Sequence, residues 1–197
     1  EYRRLGAAAV RCIAFVTIAL ALGACATRDP YVTASNTTPS GNWKIERQTD
    51  RITGMPVASA QVSTDTSSNS LDEKVRSAGL QLTCFDKNPI VRFTFDFKIG
   101  SDKNSLLGYR FDDKPGHDNV ESRILVGYRV IVIEDKAEVA RFVSELTNAN
   151  ALTVRIRSLN AGRSIAEFKV DGAPAAIEAA FAACPAVTEP SRGRANS

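Results

Sequence analysis

The sequence predicts an α+β domain in which a mainly antiparallel β-sandwich or curved sheet of about eight strands carries two packed helices. Three observations lead to this prediction. Segments that alternate apolar and polar residues recur along the chain, two later segments change to a helical spacing, and the strands follow one another too closely for repeated βαβ units. One-sided alternation is typical of antiparallel sheets, which bury one face and leave the other in water.

The predicted strands alternate apolar with polar residues, and Trp43 opens the first of them. The strongest alternation runs over 91–99, where Val91, Phe93 and Phe95 share one face. Between the second and third strands, Ser70 with Glu73 resembles a capping box and predicts a short helix over 71–78. The strand segments are 43–47, 57–62, 80–84, 91–99, 107–111, 123–133, 152–157 and 166–170.

Two segments have the apolar spacing of amphipathic helices, with apolar residues three and four positions apart. Asp135 and Glu138 supply a cap for the first helix, and Pro174 suits the first turn of the second. We expect both helices to cover an edge or open end of the sheet. The apolar positions are Val139, Phe142, Val143 and Leu146 in the first helix, and Ile177, Ala180, Phe181 and Cys184 in the second.

The first 24 residues have the features of an export signal. Three arginines accompany an uncharged run over residues 12–24, which is shorter than the roughly 20 residues that span a bilayer but fits a secretory signal. The run ends in Leu22-Gly23-Ala24-Cys25, which resembles the lipobox of bacterial lipoproteins. This resemblance implies a diacylglycerol on the Cys25 thiol, cleavage before Cys25, and a third acyl chain such as palmitate on its amino group. Ala26, rather than aspartate, implies sorting to the outer membrane.

We expect four regions along the chain: a signal peptide over 1–24, a flexible tether over 25–42, a globular β-rich domain over 43–185, and a loose tail over 186–197. Removing residues 1–24 takes away three of the 25 basic and one of the 22 acidic residues, so the net charge falls from +3 to about +1. This balance, without a basic patch, argues against a nucleic-acid partner.

Four cysteines are present, and the signal and lipid account for Cys12 and Cys25. Cys84 and Cys184 remain in a compartment that permits disulfides. Both lie in phase with apolar neighbours, so we expect both to point towards the core. They should form a disulfide if their Cα atoms lie within about 7 Å. Two separate buried thiols are the alternative.

The single histidine, His117, lies in a loop with Asp112, Asp113 and Asp118, which could in principle hold a metal. Their spacing matches neither an EF-hand nor a zinc motif, so we interpret the loop as a solvated turn and expect no metal and no cofactor. Because His117 is the only histidine in the sequence and lies in a turn, a Ser-His-Asp arrangement has only this one candidate for its base. We therefore predict no catalytic residues and no enzyme activity.

Arg155 and Arg157 share one face of a predicted strand. One interpretation is a polar binding face for an acidic partner such as a lipid head group or a glycan. The other is a solvated sheet face whose charges discourage edge-to-edge pairing.

The segments LQLTC, YRFDD, LTVRI and AEFKVDGAPAAIEAAFAAC follow the opening tryptophan in a fixed order. This order resembles small exported proteins associated with type VI secretion and similar bacterial envelope proteins, over about residues 43–185. The resemblance implies structural roles for the two cysteines and Trp43, with no enzyme activity and no established ligand.

The sequence therefore predicts a non-enzymatic envelope lipoprotein, held in the membrane by lipid on Cys25, that presents a binding or scaffolding surface in the periplasm. Its expected partner is an envelope protein or a glycan. An inhibitor or immunity-type protein is one alternative, which a long protruding loop at 100–105 or 112–120 would favour. A carboxylate-dependent hydrolase is another, which a deep polar cleft with convergent carboxylates would favour.

Overall fold

Eleven strands form one curved antiparallel sheet in the part of the chain that the structure describes. This computed structural model describes residues 32–125 and 127–184. The predicted signal peptide, Cys25 and the predicted tail over 186–197 lie outside these residues. The strands are β1 (Val32–Ser40), β2 (Trp43–Asp50), β3 (Pro56–Asn69), β4 (Asp72–Phe85), β5 (Asn88–Phe95), β6 (Ser105–Phe111), β7 (His117–Val120), β8 (Arg123–Ile124), β9 (Val130–Ile133), β10 (Ala151–Ser158) and β11 (Gly162–Lys169). The helices are α1 (Lys136–Leu146) and α2 (Ala173–Phe181).

Across the sheet the strands follow the order β7-β6-β10-β11-β3-β4-β5-β9-β8, and β2 and β1 branch from β3. β2 pairs with the first half of β3, from Pro56 to Gln61. β11 pairs with its last residues, Ser68 and Asn69. β3 thus connects two ends of the sheet: the end at the β2–β3 turn and the end at the β3–β4 turn.

The concave face of the sheet curls around α1. The ring of Phe142 on α1 lies 6.0 Å from that of Phe93 on β5, and 5.0 Å from the rings of Tyr109 and Phe111 on β6. Four strands separate β5 from β6 in the sheet order, so one ring reaches both only because the sheet is curved. The predicted cap is confirmed, since the Asp135 carboxylate accepts hydrogen bonds from the first backbone N–H groups of α1.

α2 covers another part of the core, packing against β2, β3 and β4. Its buried alanines, Ala176 and Ala180 among them, let the helix approach the sheet closely. Trp43 is fully buried, and its indole N–H donates to the carbonyl of Val170 at 2.9 Å. The predicted sheet with two packed helices is therefore confirmed. No helix among the described residues is long and apolar enough to cross a bilayer.

The predicted helix over 71–78 is wrong, because these residues belong to the turn before β4 and to β4 itself. Leu71 and Val75 are its only large apolar residues before Ala78, and both are exposed. A helix would therefore have had no apolar face to bury. Ser70 also does not act as a cap, since its hydroxyl accepts a hydrogen bond from the backbone N–H of Arg163.

Two further predictions are corrected. The tether predicted over 25–42 is wrong for residues 32–40, which form β1 and pair with β2. This edge strand exposes residues 35–39, so it lacks the apolar alternation that marks a strand. The single strand predicted over 123–133 is divided into β8 and β9, because the backbone turns back at Gly127 and Tyr128, both with positive φ.

Candidate functional site

Arg155 and Arg157, the predicted binding residues, lie on the outer face of β10, while Leu152, Val154 and Ile156 point into the core. Both guanidinium groups bind one carboxylate on the edge strand β7. Nη2 of Arg155 lies 2.9 Å from Oδ1 of Asp118, and Nη2 of Arg157 lies 2.9 Å from Oδ2 of the same residue.

The charge state of Asp118 follows from two opposing effects. Burial alone would raise the pKa of its carboxyl. Hydrogen bonds from Arg155 and from the backbone N–H of Asn119, together with the charges of Arg155 and Arg157, outweigh burial and lower this pKa below its usual value. Asp118 is therefore ionised at neutral pH and balances one of the two arginine charges.

Gly108 on β6 leaves the space in which these side chains meet. It pairs directly with Arg155 across the sheet. A Cβ at this position would lie 2.9 Å from the carbonyl oxygen of His117 and 3.1 Å from Oδ1 of Asp118. The gap opens into a pocket of about 330 Å³ on the outer face. Its lining includes Arg110, His117, Asp118, Thr153 and Arg155.

The buried Nε of Arg155 has no hydrogen-bond partner among the described residues.

His117 lies at the edge of this pocket and is held by the helix behind it. Its Nε2 is 2.6 Å from Oε1 of Glu145 on α1, and its ring lies 4.9 Å from the ring of Tyr109. Through its contact with Glu145, His117 therefore joins β7 to α1.

Burial raises the pKa of the Tyr109 hydroxyl to about 12, although Arg141 beside it acts in the opposite direction.

The predicted loop residues are dispersed rather than gathered. The Asp112 carboxylate accepts from the backbone N–H groups of Asn150 and Ala151, so it fixes the start of β10. Asp113 is exposed, and Asp118 binds the two arginines. Within residues 32–125 and 127–184, no group of three or more His, Cys, Asp or Glu side chains could hold a metal ion.

The structure also reveals a second surface, at the β3–β4 end of the sheet. Arg157 lies directly opposite Arg163 on β11 and opposite Leu106 on β6, all on the outer face. A pocket of about 510 Å³ lies among these side chains and Leu159. Leu71, in the β3–β4 turn, adjoins it across Gly162. We call Leu71, Leu106, Leu159, Arg157 and Arg163 the arginine–leucine surface.

Three leucines of this surface are exposed: Leu71 by 72%, Leu106 by 46% and Leu159 by 89%. Backbone hydrogen bonds join the segments that carry them to neighbouring strand ends. The backbone N–H of Ser70 donates to the carbonyl of Arg163 at 2.9 Å, and that of Leu159 donates to the carbonyl of Asn104 at 3.1 Å. The leucines are therefore presented on a fixed framework.

Sequence reasoning missed this surface except for Arg157. Leu71 and Leu159 are single apolar residues in polar turn segments, NSLD and SLNA, and such residues were the available signal.

The predicted disulfide is present and joins Cys84 at the end of β4 to Cys184 after α2. Their Cα atoms are 5.7 Å apart, and the bond encloses a sequence separation of 100 residues. Of the alternatives from the sequence, two separate thiols are therefore excluded. Cys25, the predicted lipidation residue, lies outside the described residues.

No protein-family model and no curated protein sequence matches the chain. Among solved structures, it is similar to the crystal structure of invasion associated protein B from Bartonella henselae, with 16% sequence identity and a TM-score of 0.49. The match covers 75% of this chain and 97% of the other. Similarity at this level carries no argument about function.

Proposed function

We propose that this chain is a non-enzymatic lipoprotein of the bacterial envelope, anchored through Cys25, that presents a binding surface to a partner in the periplasm. The disulfide between Cys84 and Cys184 supports export, because such bonds persist in oxidising compartments. In this proposal the lipid holds the domain at the membrane, and the domain acts by contact rather than by turnover.

The observation that carries the proposal is the arginine–leucine surface. Like charges directly opposite one another in a sheet are destabilising by a few tenths to about 1 kcal/mol. Arg157 and Arg163 occupy such positions, and no ion pair joins Arg163 to another described residue. Three exposed leucines lie beside them. Exposed apolar side chains next to unbalanced charge are typical of protein-binding surfaces.

The chemistry of this surface specifies the partner. An acidic segment of an envelope protein, with apolar side chains among its carboxylates, would balance Arg163 and cover the leucines. Arginine offers two parallel N–H donors to a carboxylate, so such contacts are directional as well as electrostatic. The pocket around Asp118 and Arg155 continues this surface along β10.

The two alternative functions find less support in the described residues. Residues 100–105 and 112–120 do not protrude as free loops. Asp102 accepts a hydrogen bond from Ile124, and β7 pairs with β6. For a hydrolase, the pocket on β6 and β10 offers one lining carboxylate, Asp118, and both its oxygens bind arginine. Neither the inhibitor nor the hydrolase hypothesis therefore has an observation that favours it.

Site-specific photo-crosslinking in cells tests the proposal. A photoreactive residue at Leu159 should give one discrete adduct with an envelope protein, and Arg157→Glu with Arg163→Glu should abolish the adduct. The matched control is Glu178, an exposed residue of α2, which packs on the inner face of the sheet and so lies away from this surface. Absence of an adduct at Leu159, or the same adduct from both positions, would contradict the proposed surface.

A further inference from the structure

The turn between β2 and β3 exposes large apolar side chains on a rigid support. Ile52 is 82% and Met55 62% exposed. The Asp50 carboxylate accepts hydrogen bonds of 2.8 Å from the backbone N–H groups of Ile52 and Thr53. The backbone of Asp50 also accepts from Gly54 and donates to Met55. The turn is therefore fixed by its own hydrogen bonds, yet most of the surface of its apolar side chains is exposed.

Two more apolar side chains lie at the same end of the sheet. Val57 is 40% and Phe85 73% exposed. Ser59 on β3 pairs with Thr83 on β4. Because these strands are antiparallel, Val57 on β3 and Phe85 on β4 both lie two residues closer to the end of the sheet at the β2–β3 turn. We call Ile52, Met55, Val57 and Phe85 the turn surface. Several exposed apolar residues at one end of a domain mark a contact with a protein or a membrane.

The chain itself indicates which of these contacts applies. Val32, the first residue of β1, pairs with Asp50 and so lies beside the turn surface. Seven residue steps connect Cys25 to Val32, and they span at most about 25 Å when fully extended. A lipid on Cys25 thus keeps Val32 within this distance of the bilayer, whereas the other end of β1 lies roughly 27 Å from Val32 along the strand.

We propose that the turn surface rests in the interface of the bilayer that holds the lipid on Cys25, and so sets the orientation of the domain. This inference depends on the proposed lipoprotein function. The apolar face of an amphipathic helix enters the boundary between head groups and acyl chains by about 5–10 Å, and we expect the exposed side chains of this turn to do the same. Such a second contact strengthens an anchor and removes rotation about the short connection to the lipid.

The orientation has a consequence for the arginine–leucine surface. β3 runs from Pro56, beside the turn surface, to Asn69, beside Leu71, and its 14 residues extend over roughly 40 Å along the strand. With the turn surface on the bilayer, the arginine–leucine surface faces away from it into the periplasm. A partner could then reach Arg157 and Arg163 while the domain stays on the membrane.

Fluorescence quenching by brominated lipids tests this orientation. The full acylated chain is placed in phosphatidylethanolamine–phosphatidylglycerol vesicles that contain bromine-labelled acyl chains. Ile52→Trp reports on the turn surface, and Leu159→Trp, at a position of similar exposure, reports on the opposite end. The natural tryptophan, Trp43, is fully buried and adds a constant background.

Emission from Ile52→Trp should fall about twofold in brominated vesicles, because its ring would lie at the depth of the acyl boundary. Leu159→Trp should keep its emission, which also controls for the affinity of tryptophan itself for membranes. A cooperative unfolding transition like that of the parent shows that both variants are folded. Equal quenching of the two variants, or none in Ile52→Trp, overturns the orientation.

Fatty-acid labelling of the same samples separates this inference from the proposed function. A chain that is labelled and bound to vesicles, but not quenched at position 52, leaves the lipoprotein proposal standing and refutes the turn surface. A chain that carries no label refutes the anchor and, with it, the orientation.

Discussion

Gly108 is the residue on which the arrangement of Asp118 and Arg155 depends. Glycine is needed here for space rather than for an unusual backbone conformation, since a Cβ would come within 2.9 Å of the carbonyl oxygen of His117. That oxygen belongs to the backbone of β7 and cannot rotate away. Adding a single methyl group would push β7 outward and separate the Asp118 carboxylate from Arg155.

We predict that Gly108→Ala destabilises the domain by about 1–3 kcal/mol, the usual cost of overpacking. Gly79→Ala is the matched control. Its Cβ would meet nothing closer than the carbonyl of Val62 at 4.0 Å, so it should stay within about 0.5 kcal/mol of the parent. Denaturant unfolding followed by Trp43 fluorescence measures both. Equal free energies of unfolding for the two variants would show that β7 can move to accommodate the added methyl group without loss of stability.

The hydroxyl of Tyr109 predicts how the domain responds to alkaline pH. Burial raises its pKa from 10.0 to about 12, so the folded state binds this proton more tightly than the unfolded state. The resulting stabilisation is fully present below pH 10 and is lost as pH rises through the folded pKa. Stability should therefore decline between about pH 10 and pH 12, and less steeply in Tyr109→Phe.

Tyrosinate absorbance checks this prediction. Tyr109→Phe should remove a component that titrates near pH 12. Loss of an early component instead would mean that the Tyr109 hydroxyl is hydrated.

The contact between β10 and β7 shows what single-residue reasoning can predict. Alternation places Arg155 and Arg157 on one face because side chains along a strand repeat every two residues. Their shared partner could not be predicted, because Asp118 lies 39 residues before Arg157. Only the pairing of β7 with β6 and of β6 with β10 brings it there.

At the scale of elements, the disulfide fastens the C-terminal helix to the sheet. α2 ends at Phe181, three residues before Cys184, and the bond ties it to the end of β4. Cysteines in phase with buried neighbours predicted this pairing. Strands such as β1 and the first half of β4 could not be predicted in this way, because backbone pairing rather than apolar burial holds them in the sheet.

Replacing both cysteines, Cys84→Ala with Cys184→Ala, should lower the free energy of unfolding by about 4–5 kcal/mol. The estimate follows from the freedom that the unfolded chain regains when a loop of this length opens. Reducing the parent protein should give the same loss, which controls for the alanines themselves. Hydrogen exchange should rise first in α2. An unchanged midpoint after reduction would show that packing alone holds the helix.

At the scale of the whole molecule, the sequence predicted the class of fold well and the surfaces poorly. Alternation and helical spacing reflect burial, so they indicate the sheet and both helices. The arginine–leucine surface assembles the β3–β4 turn, β6 and the β10–β11 hairpin, three segments that are distant in sequence. Two of its leucines, Leu71 and Leu159, interrupt polar turns and produce no periodic pattern.

The proposed binding role predicts that the full chain does not turn over generic peptidase, esterase or muramidase substrates. Both oxygens of Asp118 bind arginine, Arg155 and Arg157, so this carboxylate is not free to transfer a proton in the present geometry. Purified protein should match a blank reaction. Activity that survives purification and disappears in Asp118→Asn or Glu145→Gln would instead favour the hydrolase hypothesis.

The last prediction concerns the lipid anchor. In our proposal this anchor places the turn surface on the bilayer and the arginine–leucine surface away from it. Cys25→Ser should abolish incorporation of a labelled fatty acid, since the hydroxyl cannot form the thioether that the lipobox resemblance implies. The variant should remain uncut or appear as a soluble form. Cys12→Ser is the matched control, because Cys12 lies within the predicted signal peptide and should not affect labelling.

Metabolic labelling followed by fractionation of the envelope distinguishes the outcomes. Loss of label together with loss of the crosslink at Leu159 would tie partner binding to membrane attachment. Loss of label with the crosslink retained would show that the arginine–leucine surface binds its partner without the anchor. Equal labelling of Cys25→Ser and the parent would refute the lipoprotein proposal. The orientation of the turn surface on the bilayer would then have no cause, since no other described feature fixes the domain to a membrane.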